Sequence, residues 1–196
     1  MIGYALLHFI KCRLGLEKPD SQTTLAEQRA IGKYAEGARV AVEIGVYEGV
    51  NTAIIAYQIL GEGKLYAIDP FFKGKLGISY HEEIAKNQIK KNNLVDKVVF
   101  VPKLSFDALA DVPDNIDFIF VDGDHSYEGI KRDWELFSSK IKQGGIVALH
   151  DTSVPSHDAS VAQLGSYLFF NDNIIRDARF ERIETIDSLN ILRRIN

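Results

Sequence analysis

Two polar clusters in this sequence stand directly behind apolar runs. Asp122-Gly-Asp-His-Ser-Tyr-Glu128 follows Ile116-Asp-Phe-Ile-Phe-Val121, and His150-Asp151-Thr152 follows Ile146-Val-Ala-Leu149. Apolar runs this dense are what central parallel strands need, because both of their faces are covered. Such strands deliver functional side chains just past their carboxyl ends. On that reading Asp122, His150 and Asp151 share one rim. Carboxylate oxygens suit Mg²⁺, Mn²⁺ or Ca²⁺, and one imidazole shifts the preference toward a transition metal. An ion there would grip a substrate hydroxyl, lower its pKa and orient it for attack. His125, three positions after Asp122, is placed to take the hydroxyl proton, since imidazoles ordinarily titrate near neutrality. A helix-capping acidic turn would explain the first cluster alone, but not two clusters on one rim.

A second stretch supplies a binding unit. Arg39–Ile44 is a short apolar run containing Glu43, and Gly45-Val-Tyr-Glu-Gly49 is a tight turn after it. A helical segment runs from Asn51 to Leu60, with Ala53, Ile54, Ala56, Tyr57 and Leu60 at three- and four-residue spacing. Gly61 and Gly63 stop it, and Lys64–Ile68 is a second strand ending at Asp69. Strand, glycine turn, helix, strand and acid make the unit that binds nucleoside-bearing cofactors at strand ends. Gly45 and Gly49 would let backbone pass close to the ligand, and Asp69 would take the ribose hydroxyls. The turn lacks G-x-G-x-x-G, the dinucleotide spacing. An acid at Glu43 would repel a pyrophosphate but suit an ammonium or sulfonium group.

The rest of the chain must hold these two regions together. Its 196 residues are enough for one domain with a full core, and 46% hydrophobic and 26% charged content is globular. The net charge of -4 gives no reason to expect a nucleic acid. Cys12 is the single cysteine, which is read as excluding an internal disulfide and any Cys-based zinc site and fits a cytoplasmic protein. The apolar run Ala5–Ile10 is too short to span a bilayer and is followed, not preceded, by Lys11 and Arg13. We expect it to be a helix packed on the domain or on a second subunit, as in a homodimer, with 18–22 as a linker. Residues 1–22 are thus read as an N-terminal helix and linker, and 23–196 as the main domain. Thr24-Leu-Ala-Glu27 has capping-box spacing and starts a helix through about Ala35.

Further along, Pro70–Tyr80 reads as a loop whose Phe71, Phe72 and Tyr80 could wall a pocket. His81–Asn93 reads as a helix and Val98–Val101 as a third strand. Ser105–Asp107 begins a turn and helix, where Ser105 either meets an adenine edge or caps. Lys131–Lys140 is a helix, Lys142–Gly145 a turn, and Val161–Phe170 a helix over the crevice. His157, Asp158, Tyr167 and Phe170 are further candidates for substrate contact. Arg179–Ile186 and Leu189–Ile195 are two strands about a two-residue turn.

Val42-Glu-Ile-Gly-Val-Tyr-Glu-Gly-Val-Asn-Thr52 resembles the first motif of class I S-adenosylmethionine-dependent methyltransferases, in the catechol O-methyltransferase branch. VDGDHSYEGIKRDWE and GGIVALHDT are similar to bacterial small-molecule methyltransferases, including the macrolide-sugar O-methyltransferases and cephalosporin-hydroxylase-like proteins. The resemblance covers about Thr24 to Asn196. It implies an α/β fold: a Rossmann-like, seven-stranded, mostly parallel sheet with helices on both faces and an antiparallel C-terminal hairpin, its last strand beside the fifth. It implies S-adenosylmethionine as cofactor, with Gly45, Tyr47 and Asn51 at its methionine end, Asp69 on the ribose and Ser105 by the adenine. Asp122 would serve the cofactor amino group and a metal, Mg²⁺ or Mn²⁺, with His150 and Asp151 on the other two ligand positions. His125 matches the histidine base of the macrolide-sugar enzymes and replaces the lysine of the catechol branch. The catechol enzymes have an acid-amide pair, and the macrolide-sugar enzymes two acids, where this chain has His150-Asp151. His150 could therefore ligate, stand behind the ligands, or leave the site without an ion. The acceptor implied is a small-molecule hydroxyl on a sugar, polyketide or phenol. Outside this resemblance stand a nucleotide-sugar transferase using Asp122-x-Asp124 as a DxD signature, and a non-catalytic cofactor-binding module.

Overall fold

Alternating apolar strands and amphipathic helices build a single seven-stranded sheet with helices on both sides. The structure is a computed structural model and describes residues 2–74 and 77–196. Met1, and residues 75 and 76 of the aromatic loop, lie outside the described residues. The strands are β1 (Val40–Ile44), β2 (Lys64–Ile68), β3 (Val98–Val101), β4 (Ile116–Val121), β5 (Ile141–Leu149), β6 (Phe180–Ile186) and β7 (Leu189–Arg194). The α-helices are α1 (Ile2–Leu14), α2 (Leu25–Ala35), α3 (Val50–Gln58), α4 (Tyr80–Lys91), α5 (Tyr127–Phe137) and α6 (Gly165–Asp172).

The strand order is β3-β2-β1-β4-β5-β7-β6. The first five strands are mutually parallel, while β7 is antiparallel to both β5 and β6. Side chains alternate across a strand, so successive residues feed opposite layers. Val42, Ile44, Ile119, Val121, Val147 and Leu149 pack under Trp134 and Phe137 of α5 and Phe169 and Phe170 of α6. Ala41, Phe118, Phe120 and Ala148 face the other way, onto Ile31 and Ala35 of α2 and Ile55 and Ala56 of α3. Thr24 caps α2 with both halves of the capping box formed.

Four readings from sequence change. Between β3 and β4 there is no α-helix, only single 3₁₀ turns at Ser105–Asp107 and Leu109–Asp111. Helix α5 starts at Tyr127, earlier than its apolar spacing suggests, because the Ser126 side chain accepts from Gly129 N and opens the helix inside the polar cluster. The 142–145 turn lies within β5, whose register against β4 shifts between Ile116 and Phe118. The 161–170 helix divides into a 3₁₀ segment, Ala159–Gln163, and α6. Helix α1 packs on its own domain, with Phe9 stacked 5.4 Å from Tyr80 of α4.

Candidate active site

The order of the parallel strands reverses between β1 and β4, and a crevice opens there past their carboxyl ends. It holds a cavity of about 770 Å³, within the range of cofactor sites. Gly45, Tyr47, Asn51, Asp69, Ser105, Asp122 and His125 all line it. Glu43, Gly49, His150 and Asp151 do not.

The turn after β1 is held from below. Asp69 Oδ2 accepts from Val46 N at 2.9 Å and Tyr47 N at 3.2 Å, and its Oδ1 accepts from Phe71 N at 2.7 Å. A carboxylate has about four acceptor sites, so one remains open toward the cavity. Gly45 has φ +89°, and a Cβ there would fall 2.0 Å from the Asp122 carbonyl oxygen. Only glycine lets β1 and β4 end so close together. Gly49 serves packing rather than a ligand: a Cβ would come 2.9 Å from Ala85 Cα of α4. Glu43 is fully buried and neither carboxylate oxygen has a hydrogen-bond partner. Burial pushes its pKa well above the usual carboxylate range, and the Asp122 and Asp69 charges push the same way. The Thr52 hydroxyl pulls the other way without offsetting this, and Glu43 lies behind the cavity wall rather than on it.

Parallel pairing of β4 and β5 sets Val121 beside Leu149, and His150 N donates to Val121 O. The residues that follow these strands thereby converge. His150 Nδ1 lies 2.9 Å from Asp122 Oδ1 and 3.7 Å from Asp151 Oδ1, and its Nε2 lies 3.4 Å from Glu27 Oε2. His150 is 5% exposed. Burial lowers its pKa, but the Asp122 and Glu27 carboxylates outweigh that and raise it to about 10. Glu27, opposed by burial but bonded to His150 and Thr24, falls to about 2. The pair is an imidazolium clamped between carboxylates. Both ring nitrogens are engaged by carboxylates, so an ion ligated by His150 would have to displace one of its protons. Asp122 and Asp151 both approach this ring, and their carboxylates are the donors that could take a divalent ion here.

His125 stands beside this clamp. Its Nδ1 is 3.4 Å from Asp151 Oδ2 and its Nε2 is 3.7 Å from Asp122 Oδ1. Asp151 takes φ +52°, an unfavourable backbone conformation for an acid at a strand end, of the kind found where a side chain must be aimed.

Among the lining residues, His81, Phe106, Arg132 and Asp133 carried no functional signal in the sequence. Ser105 neither caps nor stands free: its Oγ donates to Asp133 Oδ1 at 2.5 Å. Burial raises Asp133 to about 6, with the Ser105 bond opposing and the Asp124 charge assisting. Arg132, one residue earlier on α5, stacks over Phe106 at 4.8 Å. Tyr47 leans on His81 at 4.7 Å. Residues 20–22, read as linker, form part of the wall. Phe71 and Phe72 line the cavity as expected, whereas Tyr80, His157, Asp158, Tyr167 and Phe170 do not. Phe170 is core.

A doubly wound sheet with a nucleoside-sized crevice at its switch point and acids on its rim defines a class I methyltransferase fold. The sequence profile of the family described as a methyltransferase domain matches residues 42–152, and the chain belongs to that family. It is 32% identical over 116 residues to an uncharacterized protein of Acanthamoeba polyphaga mimivirus, covering 56% of this chain and 50% of that one. It is 31% identical over 117 residues to a probable caffeoyl-CoA O-methyltransferase of Dictyostelium discoideum, covering 57% and 43%. The chain thus spans half or less of the length of the curated relatives it matches. The O-methyltransferase TomG of Streptomyces achromogenes, solved in complex with SAM, superposes with a TM-score of 0.65 at 18% identity, covering 98% of this chain and 90% of that one. No helix among the described residues is long and apolar enough to cross a membrane.

Proposed function

We propose that this domain transfers the methyl group of S-adenosylmethionine to a hydroxyl of a small molecule, a sugar, polyketide or phenol, with His125 as base. The observation that carries the proposal is His125 on the cavity wall with a carboxylate on each side of its ring. Asp151 beside Nδ1 favours the tautomer with its proton there, leaving the Nε2 lone pair free to take a proton. As the hydroxyl proton arrives at Nε2, Asp151 and Asp122 stabilise the imidazolium. When bound, the cofactor supplies a methyl on a sulfonium, already a good leaving group. The domain's contribution is therefore mainly to hold the reacting oxygen in line, which can be worth about 7–11 kcal/mol. Gly45, Tyr47, Asn51 and Asp69 fit the cofactor's methionine and ribose, and Ser105 with Phe106 fits the adenine. A cytoplasmic setting belongs to the same proposal.

The test is methyl transfer from labelled S-adenosylmethionine to a panel of sugars, polyketides and phenols. His125→Ala should lower turnover about 10²–10⁴-fold while cofactor affinity, measured by calorimetry, stays within about threefold. Equal turnover by the variant removes His125 from the base role. Methyl transfer in EDTA, with and without added Mg²⁺ or Mn²⁺, tests whether a divalent ion takes part: activity undiminished by the chelator marks a metal-independent enzyme. Activity abolished by chelator and restored by Mg²⁺ would show that Asp122 and Asp151 hold an ion. The nucleotide-sugar reading has little geometric support, since Asp124 Oδ1 is engaged by Ser126 N and Asp122 by His150. Methyl transfer to any acceptor would dismiss the non-catalytic reading.

A further inference from the structure

Helix α1 meets the turn after β1 at a second polar cluster, and this one is built like an ion site. His8 and Cys12 are four residues apart and share one face of α1. Both point at Glu48, the residue between Tyr47 and Gly49. His8, Cys12 and Glu48 are 8%, 4% and 2% exposed, and their ligand atoms lie mutually within 4.8 Å.

The spacing is that of donors around a missing centre. Four ligands at zinc distances of about 2.0–2.3 Å place neighbouring donor atoms ~3.3–3.7 Å apart. Here His8 Nε2 is 3.0 Å from Glu48 Oε2, 3.5 Å from Cys12 Sγ and 3.8 Å from Asp20 Oδ2. Glu48 and Cys12 thus flank one imidazole nitrogen, and the three donor atoms lie mutually within 4.8 Å. The other nitrogen of the ring, Nδ1, lies 2.9 Å from Glu17 Oε2. A ligating histidine characteristically gives its second N–H to a carboxylate, which fixes the ring and its tautomer. Charge points the same way. Glu17, Asp20 and Glu48 converge on one imidazole, and the nearby Lys11 ammonium bonds only Glu17. Without an ion the buried Glu48 carboxylate is compensated by His8 Nε2 and by Asp20 N, which donates to its Oε2 at 2.6 Å, and zinc would replace the proton between His8 and Glu48. Nitrogen, thiolate and carboxylate donors together select zinc over Mg²⁺ or Ca²⁺.

We propose that His8, Cys12 and Glu48 form a zinc site that clasps α1 to the Gly45–Gly49 turn, its fourth position open to solvent on the side of Asp20. This goes against the sequence reading that a single cysteine excludes any Cys-based zinc site, because here one thiolate would join an imidazole and a carboxylate. The site is separate from the His125 cluster and does not depend on the methyl-transfer proposal.

The experiment uses the full chain, stripped with chelator and dialysed, then titrated with Zn²⁺ against a chromophoric indicator and separately with Co²⁺. One equivalent of Zn²⁺ should bind. Co²⁺ should give the intense visible bands of a tetrahedral site together with a near-ultraviolet thiolate charge-transfer band. Bound Zn²⁺ should protect Cys12 from alkylation, a measurement that needs no variant. Cys12→Ser and His8→Ala, checked for folding by circular dichroism, should lose stoichiometric binding. Glu17→Gln should weaken it about 10–100-fold. Asp122→Asn should leave it unchanged. The proposal is overturned if Zn²⁺ binds substoichiometrically, if Co²⁺ shows no thiolate band, or if binding survives in folded His8→Ala but disappears in Asp122→Asn.

Discussion

Glu43 sits near the end of β1 with the Thr52 hydroxyl as the one group that favours its charged form, outside strict hydrogen-bond geometry, under a cavity rim that already carries Asp69 and Asp122. A carboxylate in that position would be desolvated and repelled, so the folded protein holds it as the neutral acid. Its folded pKa is raised, so folding takes up a proton wherever the unfolded carboxylate is ionised. The associated stability is complete below the unfolded value of 4.5 and is lost as pH rises toward the folded value. Glu43→Gln keeps the shape and removes the proton requirement. Thermal melts of the variant should lie above wild type at pH 8, by roughly 1–3 kcal/mol, and converge with it near pH 4. A variant less stable than wild type at pH 8 would mean that Glu43 is ionised in the folded state and has a partner.

At the scale of elements, the Glu27–His150 pair joins three pieces of the fold that sequence keeps far apart. Glu27 closes the capping box of α2 through Thr24 N, and its Oε1 accepts from Ser188 N and Oγ in the β6–β7 turn. Its other oxygen faces His150 at the end of β5. The His150 pKa is raised from 6.5 to about 10, so its stabilisation is complete below 6.5 and fades as pH rises through 10. The Glu27 pKa is lowered from 4.5 to about 2, so its share is present above 4.5 and fades as pH falls through 2. This pair is therefore worth most between pH 4.5 and 6.5. Melting temperature measured from pH 6.5 to 10 should fall, and His150→Gln should flatten that slope while lowering stability at pH 6. An unchanged slope in the variant would place the titration elsewhere. The adjacency of Asp122 and His150 was legible in the sequence, because dense apolar runs mark neighbouring central strands and their ends share a rim. The strands 64–68, 98–101 and 116–121 were legible for the same reason. Glu27 was not: its capping-box spacing accounts for it locally, and nothing in a linear pattern shows that its second oxygen reaches β5. The start of α5 was hidden because the polar residues of DGDHSYE look like loop, although Ser126 is the cap.

For the whole molecule, the cavity lies where the two halves of the sheet part, and it is walled from both sides. Gly45, Tyr47, Asn51 and Asp69 come from the β1–β2 half, and Ser105, Asp122, His125 and Arg132 come from the segments after β3 and β4 and from α5. Residues 20–22 close it from the N-terminal side. A ligand filling it touches elements that otherwise meet only through the β1–β4 pairing and the core, so binding should raise the stability of the domain as one unit. Ligand that binds only the folded state adds about 2.7 kcal/mol at a hundredfold excess over Kd. For a domain of this size about 1 kcal/mol shifts the melting temperature by roughly 2–4 °C. S-adenosylmethionine or its demethylated product at that excess should therefore raise the melting point by about 5–10 °C. UDP-sugars at the same concentration should leave it within about 1 °C, because no glycine loop or basic group on the β1 turn is arranged to neutralise a diphosphate. A shift with UDP-sugar and none with S-adenosylmethionine would transfer the cavity to a different cofactor. The rim chemistry of His125 would then have to be reassigned with it.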